Sequence, residues 1–263
     1  MTIKLGNTPV TGAEQYYTPP GLAHELVITT LATIPNANNR SFLEPAGGTG
    51  SFVDALRNSG ISNLVAFDKY PKHEAVLRQD FLDWQPSGNN FVTISNPPFG
   101  RNNALSVPFF NKAADFSDYI AFLVPRSWRK WSVQNRLDLR FHLVLDQEVR
   151  VQYEDENGEK IAKQNDLRTC FQIWEKQETL RAKVQVPDNQ LIAKSTPAEA
   201  DLAIRVFGYG CGSVMEDFPR VENTTLMFLR ILDNRVKRVI KGLDYERFAI
   251  CLLYTSDAAD DSL

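Results

Sequence analysis

The stretch Phe91-Val92-Thr93-Ile94-Ser95-Asn96-Pro97-Pro98-Phe99-Gly100 decides how the rest of the chain is read. Its first half is a short run of β-branched and aromatic residues, the composition of a buried strand. Two prolines stop that strand, because neither can donate to a β-ladder and each fixes its own φ. The residue before a proline is pushed to extended geometry. Asn96 is therefore expected at the C-terminal lip of a strand, with Phe99 just beyond it, and in open α/β sheets that lip is where ligands bind. Asn96 offers a side-chain carbonyl and Pro97 a backbone carbonyl. Two acceptors side by side suit the two N–H donors of an exocyclic amino group. Phe99 can stack on a planar base, a contact worth about 1–3 kcal/mol. The same residues would also make a plain strand-ending turn, and the flanking motifs decide between the two.

Asn96-Pro97-Pro98-Phe99 resembles the catalytic motif of the N6-adenine DNA methyltransferases, enzymes that use S-adenosylmethionine. Related tetrapeptides occur in enzymes that methylate RNA amino groups and protein glutamine amides. The motif thus implies methylation of a planar NH2 more firmly than it implies DNA. Phe at position 99, where the protein-directed enzymes usually carry Tyr, tilts towards DNA.

The bulk numbers describe an ordinary globular chain. It has 263 residues, 43% hydrophobic and 23% charged, with a formal net charge of −3. That size holds one large domain, or a domain of about 180 residues with an appendage. The charge neither supports nor excludes nucleic-acid binding, which depends on local clustering of cations. No apolar run is long enough to span a membrane. The first residues, Met1-Thr2-Ile3-Lys4-Leu5-Gly6, lack the apolar core of a signal peptide. Cys170, Cys211 and Cys251 have no metal-ligand spacing and cannot all pair. A reducing cytoplasm and no structural metal are expected.

Residues 1–14 read as a loosely held arm. Gln15-Tyr16-Tyr17-Thr18-Pro19-Pro20 then opens a helix over about 19–33, with Thr18 as N-cap and Leu22, Leu26, Val27, Leu31 and Ile34 at helical spacing. Tyr-Thr-Pro-Pro at this place resembles the family's segment for the methionine end of the cofactor, which implies a binding role for Thr18. Phe42-Leu43-Glu44-Pro45-Ala46-Gly47-Gly48-Thr49-Gly50-Ser51-Phe52 follows. It reads as a strand, a glycine turn that admits close backbone approach, and a helix carrying Phe52, Val53 and Leu56. It lacks the Gly-Lys-Ser/Thr of a phosphate loop. A carboxylate at the strand end suits a cationic amino-acid moiety better than a pyrophosphate. Acidic-Pro-x-x-Gly-x-Gly-x-Phe resembles the family's cofactor motif, here with Glu44 in place of the commoner Asp, and implies binding roles for Glu44, Pro45, Gly48 and Gly50.

Leu64-Val65-Ala66-Phe67-Asp68 reads as a second strand. Asp68, 24 residues beyond Glu44, stands where ribose hydroxyls are held in such folds. His73 is taken as a surface residue without a role. Leu77 to Trp84 fits a short third strand and turn. The resemblance implies that Asp80 accepts from the cofactor adenine, with Phe81 beside it; Asp83 is the rival acid. Ala104 to Phe116 reads as an apolar helix and Tyr119 to Pro125 as a fifth, fully covered strand. Arg126-Ser127-Trp128-Arg129-Lys130-Trp131 either stacks bases and holds phosphates or starts a helix with cations snorkelling over core tryptophans. Phe141 to Asp146 and Thr169 to Glu175 read as sixth and seventh strands. Their connection, with Glu154-Asp155-Glu156-Asn157-Gly158-Glu159-Lys160 and Lys163-Gln164-Asn165-Asp166, has no helix, so the seventh strand should be antiparallel. In the family, the loop between these strands helps to hold the flipped base.

From about 177 the composition shifts. Residues 177–196 read as linker, Pro197 to Phe207 as a short helix, and Phe207 to Ser213 as a glycine-rich loop. Arg230, Arg235, Lys237, Arg238 and Lys241 form either a DNA-backbone contact or a solvated helix face. The last residues, Tyr254 to Leu263, read as translated sequencing adapter with the natural C-terminus missing. The expected organisation is a catalytic domain at 1–178, a target-recognition appendage at 179–250 and a non-native or disordered tail at 251–263.

The fold class expected is α/β: a class I methyltransferase (Rossmann-like) sheet of seven mostly parallel strands with helices on both faces, plus a small C-terminal appendage. The implied activity is site-specific transfer of a methyl from S-adenosylmethionine to adenine N6 in double-stranded DNA, as in restriction-modification systems. The base would be flipped out onto Phe99, and Asn96 and Pro97 would accept its two N6 hydrogens. The rivals are an RNA-adenine or protein-glutamine methyltransferase, and an inactive methyltransferase-like module that binds nucleic acid.

Overall fold

The computed structural model describes residues 16–86, 88–160, 168–206, 210 and 212–243. The N-terminal arm, the 163–166 segment, the centre of the 207–213 loop and the tail at 251–263 lie outside the described residues. The chain divides into two compact units, one ending at Val184 and the other beginning at Gln185.

The first unit follows the order α1 (Pro20–Thr33), β1 (Ser41–Glu44), α2 (Ser51–Asn58), β2 (Leu64–Asp68), β3 (Leu77–Arg78), β4 (Phe91–Ser95), α3 (Ser106–Ala114), β5 (Ser117–Pro125), α4 (Trp131–Gln134), β6 (Phe141–Arg150) and β7 (Arg168–Lys176). These strands form one seven-stranded sheet in the order β3-β2-β1-β4-β5-β7-β6. The pairs β1–β2, β1–β4, β2–β3 and β4–β5 are parallel, and β7 runs antiparallel to both β5 and β6.

Alternation along each strand builds two cores. Phe42, Val92, Ile94, Ala121 and Leu123 face α1 and α2, meeting Leu26, Val27, Phe52 and Leu56. Leu43, Ile120, Phe122 and Val124 face α3, meeting Phe109 and Phe110. The near-continuous apolar run of β5 is explained by this, since both of its faces are covered. Phe110 is the hub of the second core, with the rings of Phe122, Trp128, Phe141 and Trp174 at 5.5–6.1 Å. Edge-to-face pairs of this kind each add about 0.5–1.5 kcal/mol beyond burial.

Several local expectations change. The N-cap of α1 is Pro19 rather than Thr18. No side chain caps the helix: proline at its first position has no N–H to satisfy, and the first turn closes with the Ala23 amide donating to the Pro19 carbonyl at 3.0 Å. Phe81, expected beside Asp80 at the cofactor, has its ring 1% exposed in the α3 core, among Trp84, Phe109 and Phe116.

The second unit is a four-stranded antiparallel sheet, order β10-β9-β11-β8, formed by β8 (Ile192–Lys194), β9 (Leu202–Arg205), β10 (Val214–Met215) and β11 (Leu226–Ile231), followed by α5 (Asn234–Gly242). Part of the stretch read as linker is therefore strand β8, and Leu202–Arg205, inside the expected helix at 197–207, is strand β9. Leu202-Ala203-Ile204 suits either state. Pairing on both sides, with β10 and β11, selects the strand.

Candidate active site

β1 and β4 are parallel neighbours, with Leu43 opposite Thr93, and the sheet order reverses between them. β2 and β3 continue on one side of β1, while β5, β7 and β6 lie beyond β4. This is the switch point at which a crevice opens past the strand ends. Glu44 ends β1, and Ser95 and Asn96 end β4. The Ser95 hydroxyl donates to Glu44 Oε1 at 2.6 Å, and the Ala46 amide donates to the same oxygen at 2.9 Å. Glu44 is fully buried. Its other oxygen, Oε2, has no hydrogen-bond partner. Burial pushes its carboxyl up to about 8; the bonds from Ser95 and Ala46 oppose that shift, and Asp68 adds to it.

Asn96 shows the same asymmetry. Its Nδ2 donates to the Tyr16 carbonyl at 3.0 Å, across 80 residues of sequence. Its Oδ1 is buried and has no hydrogen-bond partner. Pro97 is buried and Phe99 half-buried. Thr18 is buried with Oγ1 also unpartnered. Buried polar atoms are nearly always satisfied, so three unmatched oxygens at Thr18, Glu44 and Asn96 mark where outside donors would be accommodated.

The glycine turn is closed by side chains that its composition did not announce. Gly48 and Gly50 have φ of 47° and 86°, values that favour glycine. A Cβ on Gly48 would fall 2.7 Å from the Tyr17 ring, and one on Gly50 would strike His73. His73 is thus no plain surface residue. Its Nδ1 accepts from the Ala75 amide at 3.1 Å and its Nε2 lies 3.3 Å from Asp54. Pro45 is buried beneath the turn. Asp68 ties the turn to β2: its Oδ2 accepts from the Gly48 amide at 2.8 Å and its Oδ1 from the Tyr70 amide at 2.7 Å. Asp80 caps the 81–83 turn through the Leu82 amide at 3.1 Å and pairs with Lys69 at 3.2 Å, whereas Asp83 is exposed. Each of these carboxylate oxygens keeps a further lone pair for a hydroxyl or amino donor.

Tyr16 and Tyr17 tie the segment before α1 to the rest of the unit. Tyr17 and Glu154 exchange backbone hydrogen bonds, both at 3.1 Å, and the Tyr16 and Tyr153 rings lie 5.7 Å apart. The β6–β7 connection thereby pins the segment that orients Asn96. Such a contact between distant segments leaves no local signal. Ser95 did have one: a hydroxyl beside Asn96 at the end of a buried strand.

S-adenosylmethionine fits these acceptors at its amino-acid end, where the unmatched Glu44 Oε2 suits a cation. Asp68 and Asp80 are already engaged but not saturated. The Phe81 ring lies in the aromatic core. The described residues include no group of three or more His, Cys, Asp and Glu able to hold a metal, and no helix long and apolar enough to cross a membrane.

The Arg126–Arg129 segment is engaged with its own unit. Trp128 is fully buried, with Nε1 donating to Ser106 Oγ at 3.2 Å. Arg129 forms an ion pair with Asp146 and lies 3.6 Å from Glu148. Trp131 remains 48% exposed. In the second unit, Lys237 and Lys241 both pair with Glu216 at 3.1 Å and Arg235 pairs with Asp233, while Arg238 is exposed on α5.

No family model and no curated protein matches the chain. Solved structures do. A Pyrococcus horikoshii protein described as a candidate RNA methyltransferase aligns with TM-score 0.51 at 16% identity, covering 65% of this chain and 91% of that one. A Thermoplasma acidophilum protein aligns with TM-score 0.49 at 18% identity, covering 63% and 92%. A Listeria monocytogenes protein described as a candidate class I S-adenosylmethionine-dependent methyltransferase aligns with TM-score 0.44 at 19% identity, covering 65% and 63%. The likeness is one of architecture: the chain has the class I, Rossmann-like methyltransferase fold.

Proposed function

We propose that this chain transfers a methyl group from S-adenosylmethionine to the N6 amino group of adenine in DNA. The observation that carries the reading is the pairing of Glu44 and Asn96 through Ser95. Two neighbouring strand ends each present one buried oxygen without a donor, one charged when ionised and one neutral. The cofactor supplies an electrophilic methyl on a sulfonium sulfur. Glu44 Oε2 accepts its ammonium group, Asp68 its ribose hydroxyls, and Asp80 with the Phe81 backbone its adenine. Thr18 Oγ1 lies on the segment that closes over the methionine end, and Pro45, Gly48 and Gly50 shape the turn beneath.

For the target base, Asn96 Oδ1 and the Pro97 carbonyl accept the two N6 hydrogens. That draws the nitrogen lone pair out of conjugation with the ring and leaves it available on nitrogen. The Tyr16 carbonyl holds the Asn96 amide through Nδ2, which leaves the buried Oδ1 for the substrate amino group. Pro98 rigidifies the turn and Phe99 stacks on the flipped ring. Catalysis of this kind is positioning and electrostatics, with no covalent intermediate on the protein. The second unit serves in target recognition, with Arg230 and the α5 cations Arg238, Lys237 and Lys241 towards the DNA backbone.

The direct test offers unmethylated genomic DNA and total RNA, in separate reactions, to the protein with labelled S-adenosylmethionine, and digests the products to nucleosides. Label in N6-methyldeoxyadenosine supports the proposal. Label only in RNA nucleosides moves the substrate to RNA, in line with the description of the Pyrococcus protein.

A further inference from the structure

The loop that leaves Phe99 is fastened to the neighbouring strand end through Asn103, the first residue of α3 is fastened there through Ser106, and the Asn102 carbonyl accepts from Arg136 at 3.1 Å. Gly100, Asn102 and Asn103 have φ of 67°, 54° and 58°, a region that residues with a Cβ rarely occupy. A Cβ on Gly100 would lie 2.9 Å from the Leu105 nitrogen. This tight path brings the Leu105 and Ser106 amides onto the Phe99 carbonyl, at 3.2 and 3.3 Å. Such backbone persists only where its surroundings over-determine it, and here they are specific. Asn103 is 4% exposed. Its Nδ2 donates to Ser127 Oγ at 3.1 Å, and the Ser127 hydroxyl lies 3.4 Å from its Oδ1 as donor. Ser106 is fully buried and accepts from Trp128 Nε1 at 3.2 Å. Ser127 and Trp128 belong to the segment whose sequence suggested base and phosphate contacts.

We infer that Asn103 and Ser127 are positioning residues, a latch from the β5 end that holds the 100–105 loop and so fixes Phe99 where it stacks on the target base. This rests on the reading of Phe99 as the stacking ring. The latch places a residue of the substrate site under the control of two side chains that need not touch substrate. It explains why a left-handed asparagine is buried directly behind the motif.

The test compares wild type with Ser127→Ala, Ser127→Thr, Asn103→Gly and the Asn103→Gly/Ser127→Ala double variant. Glycine at 103 keeps the positive φ and removes only the side chain. Three quantities are read: hydrogen exchange at the Leu105 and Ser106 amides in cofactor-free protein, the cofactor Kd, and kcat for methyl transfer. Ser127→Ala and Asn103→Gly should each speed exchange at both amides and lower kcat roughly 10- to 100-fold, the cost of displacing a positioned group by about 1 Å. Cofactor Kd should stay within about twofold, because the cofactor half is untouched. Ser127→Thr should restore protection and kcat, and the double variant should be no worse than either single one. Wild-type exchange and kcat in Ser127→Ala overturn the inference. So does a parallel loss of cofactor affinity, or full additivity in the double variant. Faster exchange in Ser127→Ala alongside a wild type that methylates nothing upholds the latch on the loop and removes the methylation reading instead.

Discussion

The ends of β4 and β5 are neighbours in one sheet, both run into proline, and both carry polar and aromatic residues just beyond. Their fates are opposite. At the β4 end, Asn96 Oδ1 is buried without a donor, and Ser95 leads to a buried Glu44 oxygen in the same state. At the β5 end, Trp128 is fully buried and bonded to Ser106, Ser127 is bonded to Asn103, and Arg129 is paired with Asp146. A polar group at a strand end points to a ligand when its acceptor is buried and left unmatched. It points to architecture when the chain itself completes it. Residue type alone does not separate the two, since arginines beside tryptophans look more like a nucleic-acid site than an asparagine between serine and proline.

Four variants would break or sharpen this contrast, beginning with the largest effect. Trp128→Ala should cost about 3–5 kcal/mol of stability, visible in a urea titration, because it empties the Phe110 ring cluster and strands the Ser106 hydroxyl. A small loss would mean that the β5 end is not structural. Asn96→Ala should lower methyl transfer at least about 100-fold while cofactor affinity, read by calorimetry, stays within about twofold. Its stability should fall by about 1 kcal/mol, because the substitution removes the Nδ2 hydrogen bond to the Tyr16 carbonyl, while the unmatched oxygen contributes nothing in the free protein.

Glu44→Gln sharpens the other half of the β4 side. Burial raises the Glu44 carboxyl from 4.5 to about 8. Between those values the folded chain holds a proton that the unfolded chain has released. Stability from this group is therefore full below 4.5 and falls as pH rises to about 8, by at most about 1.4 kcal/mol per pH unit. Glutamine mimics the protonated acid, so the variant should lose that slope in a melting series across the window. It should also lose cofactor affinity roughly 10- to 100-fold, the worth of a charged hydrogen bond. A slope unchanged by the substitution would place the titration elsewhere. The smallest effect belongs to Arg129→Gln. Its ion pair is one-third exposed, so stability should drop by only about 1 kcal/mol, with nucleic-acid affinity unchanged in a filter-binding assay. A clear loss of nucleic-acid binding would restore the contact role that the sequence suggested.

How far the sequence could be read follows from how local each signal is. β4 and β5 are apolar runs covered on both faces, and the helix after the glycine turn shows its buried stripe, so these elements are visible from neighbours in sequence. The antiparallel seventh strand followed from a connection without a helix. What could not be read depends on partners far away in the chain. The Tyr16 carbonyl orients Asn96 from 80 residues off, His73 packs on Gly50, and Tyr17 bonds to Glu154. The stretch Leu202-Ala203-Ile204 becomes a strand only because β10 and β11 flank it. Phe81 follows a candidate cofactor acid in sequence, yet its ring turns into the aromatic core because the 81–83 turn faces α3.

The most direct test of the central claim is labelled methyl transfer to unmethylated genomic DNA by wild type and Asn96→Ala side by side. Label in adenine N6 with wild type, and none with Asn96→Ala under conditions where both bind the cofactor, is the result predicted from an unmatched acceptor at the β4 end. Transfer by Asn96→Ala at the wild-type rate would contradict it, and the Ser95-Asn96-Pro97-Pro98-Phe99 stretch would then be only the turn that ends a strand.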